Sequence, residues 1–160
     1  MADIINNIVG GRYYILELIG RGGSAVVYKA RDIHNGGIYA LKKYITSDPA
    51  NRKRLLEGME RELEVLKNCT HPVLPKIFDL IKIEDAFFLV MEYIDGIDLK
   101  KYVDEYGTLS TKMLIKVMEQ VCSGFYYLHS LSPAIVYRDL KPANIILCKD
   151  GRIKLIDFGI

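Results

Sequence analysis

The chain has 160 residues, half of them apolar and 26% charged, which is enough apolar material for a packed core and argues against disorder. Its 22 Lys and Arg stand against 20 Asp and Glu, and a formal charge of +2 is too balanced to point to nucleic acid or an anionic membrane as partner. Thirteen glycines and 5 prolines, set without periodicity, exclude collagen-like, coiled-coil and low-complexity classes.

The first half reads as strands. Residues 13–19 run into a glycine-rich turn and 25–30 come back out of it. Asn35-Gly36-Gly37 is a turn signal, and 38–45 form the next strand. Asp48 as N-cap and Pro49 at the first helical position predict a helix running to about Asn68. Strands over about 76–83 and 86–93 flank an acidic turn at Glu84-Asp85. Residues 94–98 read as a short linker into a helix over about 98–106. Ser110 then caps a longer helix whose Leu114, Val117, Met118, Val121, Phe125 and Leu128 recur with helical period as a core stripe. A hairpin around Asp150-Gly151 closes the chain.

The turn Gly20-Arg21-Gly22-Gly23-Ser24-Ala25 matches a phosphate-binding glycine pattern that is weak by itself. A Rossmann loop must open a helix, and here the β-branched and aromatic run Val26-Val27-Tyr28 follows instead. No Gly-Lys-Ser/Thr of a Walker loop is present. The fitting alternative is a glycine hairpin whose backbone N–H groups cover phosphates.

On the predicted helix over 48–68, Glu62 falls within about 20° of Leu55, inside the apolar stripe of Leu55, Met59, Leu63 and Leu66. Glu60 and Glu64 fall on the wet face. An inward carboxylate needs a cation, because a buried charge left alone costs about 3–5 kcal/mol. Lys42, on the same strand face as Ala40, is the candidate, and the pair would hold an ammonium where it can meet a phosphate.

With Asp150-Gly151 as a two-residue turn, Lys149 faces Arg152, Leu147 faces Lys154, and Asn144 faces Asp157. An amide and a carboxylate oxygen brought within about 5 Å in this way suit Mg²⁺, which takes hard oxygen ligands and leaves the remaining places to water and phosphate. Asp139, five residues before Asn144 in the charged segment 138–142, could accept a proton at the same place.

The cysteines Cys69, Cys122 and Cys148 are odd in number and too scattered for a metal knuckle or a disulfide framework, and read as thiols in a reducing compartment. His34, His71 and His129 lack metal-ligand spacing and read as structural. The N-terminus has no basic signal region and no apolar run reaches about 18 residues, so the expectation is a cytoplasmic chain without a membrane segment.

Taken in order, Gly20-x-Gly22-x-x-Ala25-x-Val27, Tyr39-Ala-Leu-Lys42, Glu62, Tyr137-Arg-Asp-Leu-Lys-Pro-Ala-Asn144 and Asp157-Phe-Gly159 resemble the protein-kinase signature set across residues 12–160. The chain is similar to eukaryotic-type serine/threonine protein kinases, and its loop wording to their bacterial branch. The resemblance implies an α+β fold with two lobes. Residues 12–93 would be an antiparallel five-stranded N-lobe with one regulatory helix, and 94–160 an incomplete, mainly helical C-lobe.

It further implies ATP and Mg²⁺ as cofactors and a protein Ser or Thr hydroxyl as acceptor. Gly20, Arg21, Gly22, Gly23, Ser24, Ala25 and Val27 would cover the ATP phosphates. Lys42, held by Glu62, would contact the α- and β-phosphates. Asp139 would orient and deprotonate the acceptor hydroxyl, Lys141 would neutralise charge on the γ-phosphate, and Asn144 and Asp157 would hold Mg²⁺. Val27, Ala40 and Ile146 resemble the apolar contacts of adenine, Met91 the residue gating the pocket behind it, and Glu92–Ile94 the hinge. Asp98 is the candidate for the ribose hydroxyls. Lys141 speaks for the serine/threonine class, and Arg138 suggests control by a phosphorylated activation loop.

Two departures are Ala25 for the third glycine and Tyr137 for the usual histidine, the latter at a mainly structural position. The alternatives are a non-catalytic ATP-binding module and a small-molecule kinase. Because the activation loop and substrate-docking helices of the family are not in the sequence, the 160-residue chain by itself is expected to transfer phosphate weakly or not at all.

Overall fold

Alternation of inward and outward residues, interrupted by glycine turns, makes the first part of the chain a meander. The computed structural model describes residues 4–22, 25–44, 56–57, 60, 63, 66–83 and 86–157. The chain divides into two compact units, residues 1–68 with 76–93 and residues 69–75 with 94–160.

The first unit is an antiparallel sheet of β1 (Ile8–Val9), β2 (Tyr13–Arg21), β3 (Ala25–Asp32), β4 (Ile38–Tyr44), β5 (Ile77–Ile83) and β6 (Ala86–Glu92), in the order β1-β2-β3-β4-β6-β5. The five strands expected over 12–93 are all present, and one more among the described residues, β1, joins the edge of the sheet. The extra one, two residues long, is too short to show a period, and it exists because Gly10 and Gly11 take φ of 58° and 65° and turn Ile8–Val9 back onto Tyr13–Tyr14. Gly10 also lies against the far edge of the sheet. A Cβ there would stand 3.0 Å from Ile81 on β5, so the sheet curls until its two edges approach.

Period two gives the sheet two functions. Tyr13, Ile15, Val26, Tyr28, Ala30, Leu41, Phe88 and Val90 form one buried cluster. Edge-to-face contacts Tyr13–Tyr39 (5.6 Å) and Tyr39–Phe78 (5.1 Å) continue it toward β5. The intervening residues Val27, Ala40, Lys42, Leu89 and Met91 share the other face, paired as Val27 with Lys42, Ala40 with Met91 and Lys42 with Leu89.

Of the helix predicted over 48–68, residues 56–57, 60, 63 and 66–67 are helical, with Leu66 buried and Glu60 exposed and ion-paired to Lys82. Its predicted start at Asp48-Pro49 and the turn at Glu84-Asp85 lie outside the described residues.

In the second unit, β7 (Gly96–Asp98), β8 (Ile145–Cys148) and β9 (Ile153–Leu155) form an antiparallel sheet in that order. Residues 94–98, expected as a linker, thus contain a strand. Gly96 permits it, since a Cβ there would lie 2.5 Å from the Leu147 carbonyl. Asp98 caps α1 (Leu99–Tyr106) by accepting the Lys101 N–H at 2.8 Å, and Ser110 caps α2 (Thr111–Ser130) by accepting that of Met113 at 3.3 Å.

The buried seam of α2 is Val117, Val121, Gly124 and Leu128. Leu114 and Met118, expected in the core stripe, are exposed, as are Ile115 and Tyr126 on the same helix. The segment 69–75 and β9 meet this helix around Gly124. Val73 and Leu155 lie where a Cβ on Gly124 would touch both, the Thr70 N–H donates to Tyr127 Oη at 2.9 Å, and the Leu155 N–H donates to the Val73 carbonyl at 2.8 Å.

Asp32 is a fully buried carboxylate in the first unit. Arg12 donates to its Oδ2 through Nε (2.8 Å) and Nη2 (2.7 Å), while its Oδ1 accepts the His34 N–H at 2.9 Å. Arg12 first, and the His34 amide after it, hold the Asp32 carboxyl below the usual range. A depressed carboxylate stabilises the fold at pH values above its unfolded pKa, and that contribution is lost as pH falls through the folded value. Denaturant midpoints measured from pH 7 downward should therefore fall below about pH 4 in the wild type. Asp32→Asn should start lower at pH 7 and lose less over that acid interval.

Candidate active site

In the second unit, the segment after Tyr137 is held against the hairpin by Asn144. This residue ends a short 3₁₀ turn, Pro142–Asn144, and is 4% exposed. Its Nδ2 donates to the Asp139 carbonyl at 2.9 Å and to Asp139 Oδ2 at 3.0 Å, and its own carbonyl accepts the Ile156 N–H at 2.9 Å. Lys141 Nζ donates to the same Asp139 Oδ2 at 2.5 Å. Asp139, Lys141 and Asn144, three of the sequence-derived candidates, therefore form one cluster. Lys141 foremost, helped by Asn144, holds the Asp139 carboxyl below the usual range, so it is ionised at neutral pH.

The hairpin differs from the two-residue turn expected for Asp150-Gly151. Ile145 pairs with Leu155, Ile146 with Lys154 and Leu147 with Ile153, one residue out of the expected register. The loop has three residues. The Gly151 N–H donates to Cys148 O at 3.0 Å, Arg152 O accepts the Cys148 N–H at 2.9 Å, and Gly151 takes φ of 82°. Asp150 supports this loop by accepting the Arg152 N–H at 3.0 Å. Asn144 accordingly lies opposite Ile156, and Asp157 follows one residue later with φ of 64°, in the left-handed region that few non-glycine residues adopt.

The chemistry of the donor set suits a hard cation. Both Asn144 Nδ2 bonds go to Asp139, so the other arm of that amide is an oxygen, and Asp157 adds a carboxylate next to the Asn144–Ile156 bond. Among the described residues no group of three or more His, Cys, Asp or Glu could hold a metal alone. Two protein oxygens with the remainder from water and phosphate is the Mg²⁺ pattern, not the zinc one.

Sequence reasoning assigned Tyr137 a mainly structural position without finding its contact. The phenol is buried, meets the Phe125 ring in a tilted contact at 5.6 Å and donates its O–H to the Ile156 carbonyl, directly before Asp157. Burial, then the charges of Asp157 and Asp139, push its pKa upward. The signal available in the sequence was its place two residues before Asp139.

Asp98 and Ile146 are cross-strand partners on β7 and β8. Asp98 already serves as the cap of α1, with Lys101 Nζ 3.2 Å from its Oδ2. Ile94, also in this unit, is half-buried.

In the first unit the glycine turn joins β2 to β3 as a hairpin, with Gly20 paired to Val27, Arg21 to Val26, and the Gly22 N–H donating to Ala25 O at 2.8 Å. Gly23, Ser24 and Glu62 lie outside the described residues. Lys42 stands on the face carrying Val27, Ala40 and Met91, with Nζ 5.2 Å from the Tyr44 ring centre. Glu92 is tied to the chain before β5. Its Oε2 accepts the Lys76 N–H at 3.0 Å and its N–H donates to Lys76 O at 2.8 Å.

His71 has a structural part. Its Nδ1 accepts the Val73 N–H at 3.3 Å, its Nε2 meets Ser123 Oγ at 3.2 Å, and it stacks on Tyr127 at 5.1 Å. Burial lowers its pKa, favouring the neutral ring.

The sequence profile of the protein kinase domain matches residues 13–160. The chain is 38% identical over 157 residues to serine/threonine-protein kinase PrkC of Bacillus subtilis, covering 98% of this chain and 24% of that protein. It is 34% identical over 157 residues to serine/threonine-protein kinase tousled-like 1 of Homo sapiens, covering 93% and 20%. Among solved structures, Rad53 1-466 in complex with AMP-PNP aligns with a TM-score of 0.80 and 31% identity over 92% of this chain and 38% of that one. The chain thus spans about a quarter or less of the length of these curated relatives.

Because Lys141 is the largest influence on Asp139, Lys141→Met should move the Asp139 carboxyl titration upward, toward the ordinary value near 3.9. Carbon-detected NMR of the side-chain carboxyl reads this directly. An unchanged midpoint would show that the ion pair does not set the charge of Asp139.

Proposed function

The chain belongs to the protein kinase domain family, and we propose that it is the nucleotide-binding and catalytic portion of a serine/threonine protein kinase of the bacterial branch. Its reaction is transfer of the ATP γ-phosphate to a Ser or Thr hydroxyl of a protein, in the cytoplasm. The observation that carries this reading is the contact of Asp139 with both Lys141 (2.5 Å) and Asn144 (3.0 Å), next to the hairpin end bearing Asp157.

Asp139, kept ionised at neutral pH, accepts a hydrogen bond from the acceptor hydroxyl and orients its oxygen, then takes its proton as the new P–O bond forms. Lys141, on the same carboxylate, supplies a cation for the charge on the transferred group. Lys42 meets the inner phosphates as a point charge, and the backbone amides of the Gly20–Ala25 turn cover them. In the first unit Val27, Ala40 and Met91 would offer apolar contact to a base, with the Glu92 backbone for its polar edge; in the second, Ile146 would offer apolar contact, Ile94 its backbone and Asp98 its carboxylate to the ribose. Asn144 and Asp157 would hold Mg²⁺, which when bound neutralises phosphate charge.

Lys141-Pro142 favours a protein acceptor over a small molecule. Cys69, Cys122 and Cys148 are thiols, which is compatible with a reducing compartment, and no helix among the described residues is long and apolar enough to cross a membrane.

The test joins residues 1–160 to the activation loop and docking helices of a bacterial relative and measures incorporation of labelled phosphate from ATP and Mg²⁺ into a generic basic protein, with acid hydrolysis to identify phosphoserine and phosphothreonine. Asp139→Asn should lower transfer by about 10²–10⁴-fold, and Lys42→Met should abolish it while circular dichroism stays that of the wild type. Tight binding of an ATP analogue with no transfer by the wild type would replace this reading with a non-catalytic nucleotide-binding module.

A further inference from the structure

The register of the hairpin carrying Asn144 and Asp157 is not determined by burial. β8 is apolar at each of its four positions, Ile145-Ile146-Leu147-Cys148, so either of its faces suits a core. In the observed register Ile145 and Leu147 face Leu155 and Ile153. Shifted by one residue, Ile146 and Cys148 would face them, and that set is as apolar. The Asp150-Gly151 dipeptide favours the two-residue turn that belongs to the shifted register. The three-residue loop that forms instead must be selected by something more. Asp150 contributes from inside the loop, through the Arg152 N–H.

Two side chains reach the loop from outside the hairpin among the described residues: exposed Asp95 pairs with the Lys149 side chain at 2.8 Å, and Gln120 bonds the loop backbone itself. Gln120, on α2, accepts the Ile153 N–H on Oε1 at 3.0 Å. Its Nε2 donates to the Gly151 carbonyl at 3.2 Å and to the Lys116 carbonyl of its own helix at 3.2 Å. A single amide thus satisfies a C=O and an N–H two residues apart on the outer edge of the strand, as a neighbouring strand would. Further along the same edge the Leu155 N–H donates to Val73 O. The helix therefore grips the loop at its bulged glycine, the residue whose conformation separates the two registers.

We propose that Gln120 is the positioning residue that selects the register of this hairpin, and through it the placement of Asp157 beyond the Asn144–Ile156 bond instead of directly opposite Asn144. This rests on the reading of Asn144 and Asp157 as metal ligands. Residues that orient metal ligands are worth about 10–100-fold in metal affinity.

The experiment uses the 160-residue chain, Mn²⁺ as the probe and a non-hydrolysable ATP analogue. Mn²⁺ affinity is read by electron paramagnetic resonance, and register by interstrand Hα contacts and amide exchange in NMR. In the wild type the Ile153 amide should be protected; free exchange there overturns the proposal without any variant. Gln120→Met, which keeps the size and loses both bonds, should expose the Ile153 amide, replace the Leu147–Ile153 Hα contact with Cys148–Ile153 and weaken Mn²⁺ binding about tenfold or more. Gln120→Glu, which keeps the acceptor for Ile153 and loses the donor to Gly151, should retain Ile153 protection with a smaller loss of Mn²⁺ affinity, and it carries the test if Gln120→Met does not fold. Unaltered Hα contacts or unaltered Mn²⁺ affinity in the variants overturns the proposal. Asp157→Asn separates the two ideas. If it binds Mn²⁺ as the wild type does, the metal reading has failed, while the register readout still judges Gln120.

Discussion

The second unit depends on one buried amide. Asn144 is nearly inaccessible to solvent, and a buried amide deprived of partners costs about 1–3 kcal/mol, so its hydrogen bonds are obligatory in the folded chain. They run in two directions. The side chain fixes both the backbone and the carboxylate of Asp139, and the backbone carbonyl fixes Ile156 and hence the entry to Asp157. A residue that merely bound metal could sit on any loop. This one joins Asp139, the proposed proton acceptor, to the entry of Asp157, the proposed second metal ligand, so the three cannot drift apart without breaking a buried bond. The low local dielectric that makes the bonds costly to lose also makes them directional.

The first unit solves a different problem by the simplest periodicity available. A strand presents alternate residues to opposite faces, and β3, β4 and β6 spend one set on the core and the other on the candidate nucleotide face. Leu41 is fully buried in the cluster while its neighbours Ala40 and Lys42 face away from that cluster.

Much of this was legible in the sequence for physical reasons. Lys42 and Val27 are read from period two, Ser110 and Asp98 mark helix starts through their side-chain oxygens, and Asp139, Lys141 and Asn144 are close enough in sequence that any tight turn brings them together. The failures share a cause. The short strand at Ile8–Val9, the strand at Gly96–Asp98 and the burial of α2 depend on which backbone meets them from elsewhere. Leu114 and Met118 have the period of a core stripe, yet only the seam through Val117, Val121, Gly124 and Leu128 is buried. The hairpin register was misread because local turn chemistry favoured one loop and a glutamine 31 residues from Gly151 met another. Within residues 144–157 only Asp150, through the Arg152 N–H, points to the loop that forms.

Tyr137 shows how a departure from the family pattern can sharpen a site. An imidazole there would titrate near pH 6.5 and change its hydrogen-bonding character within the physiological range. A phenol has one O–H to give and, with burial and two nearby carboxylates raising its pKa, keeps that proton well above neutral pH. Its bond to the Ile156 carbonyl is therefore indifferent to pH where the protein operates. The same carboxylates that hold the phenol neutral are the groups it helps to place, for Ile156 is bonded on its N–H by Asn144 and on its carbonyl by Tyr137. With both polar groups of that residue engaged, the chain has little freedom left in how it enters Asp157, and the left-handed backbone there is held by its neighbours.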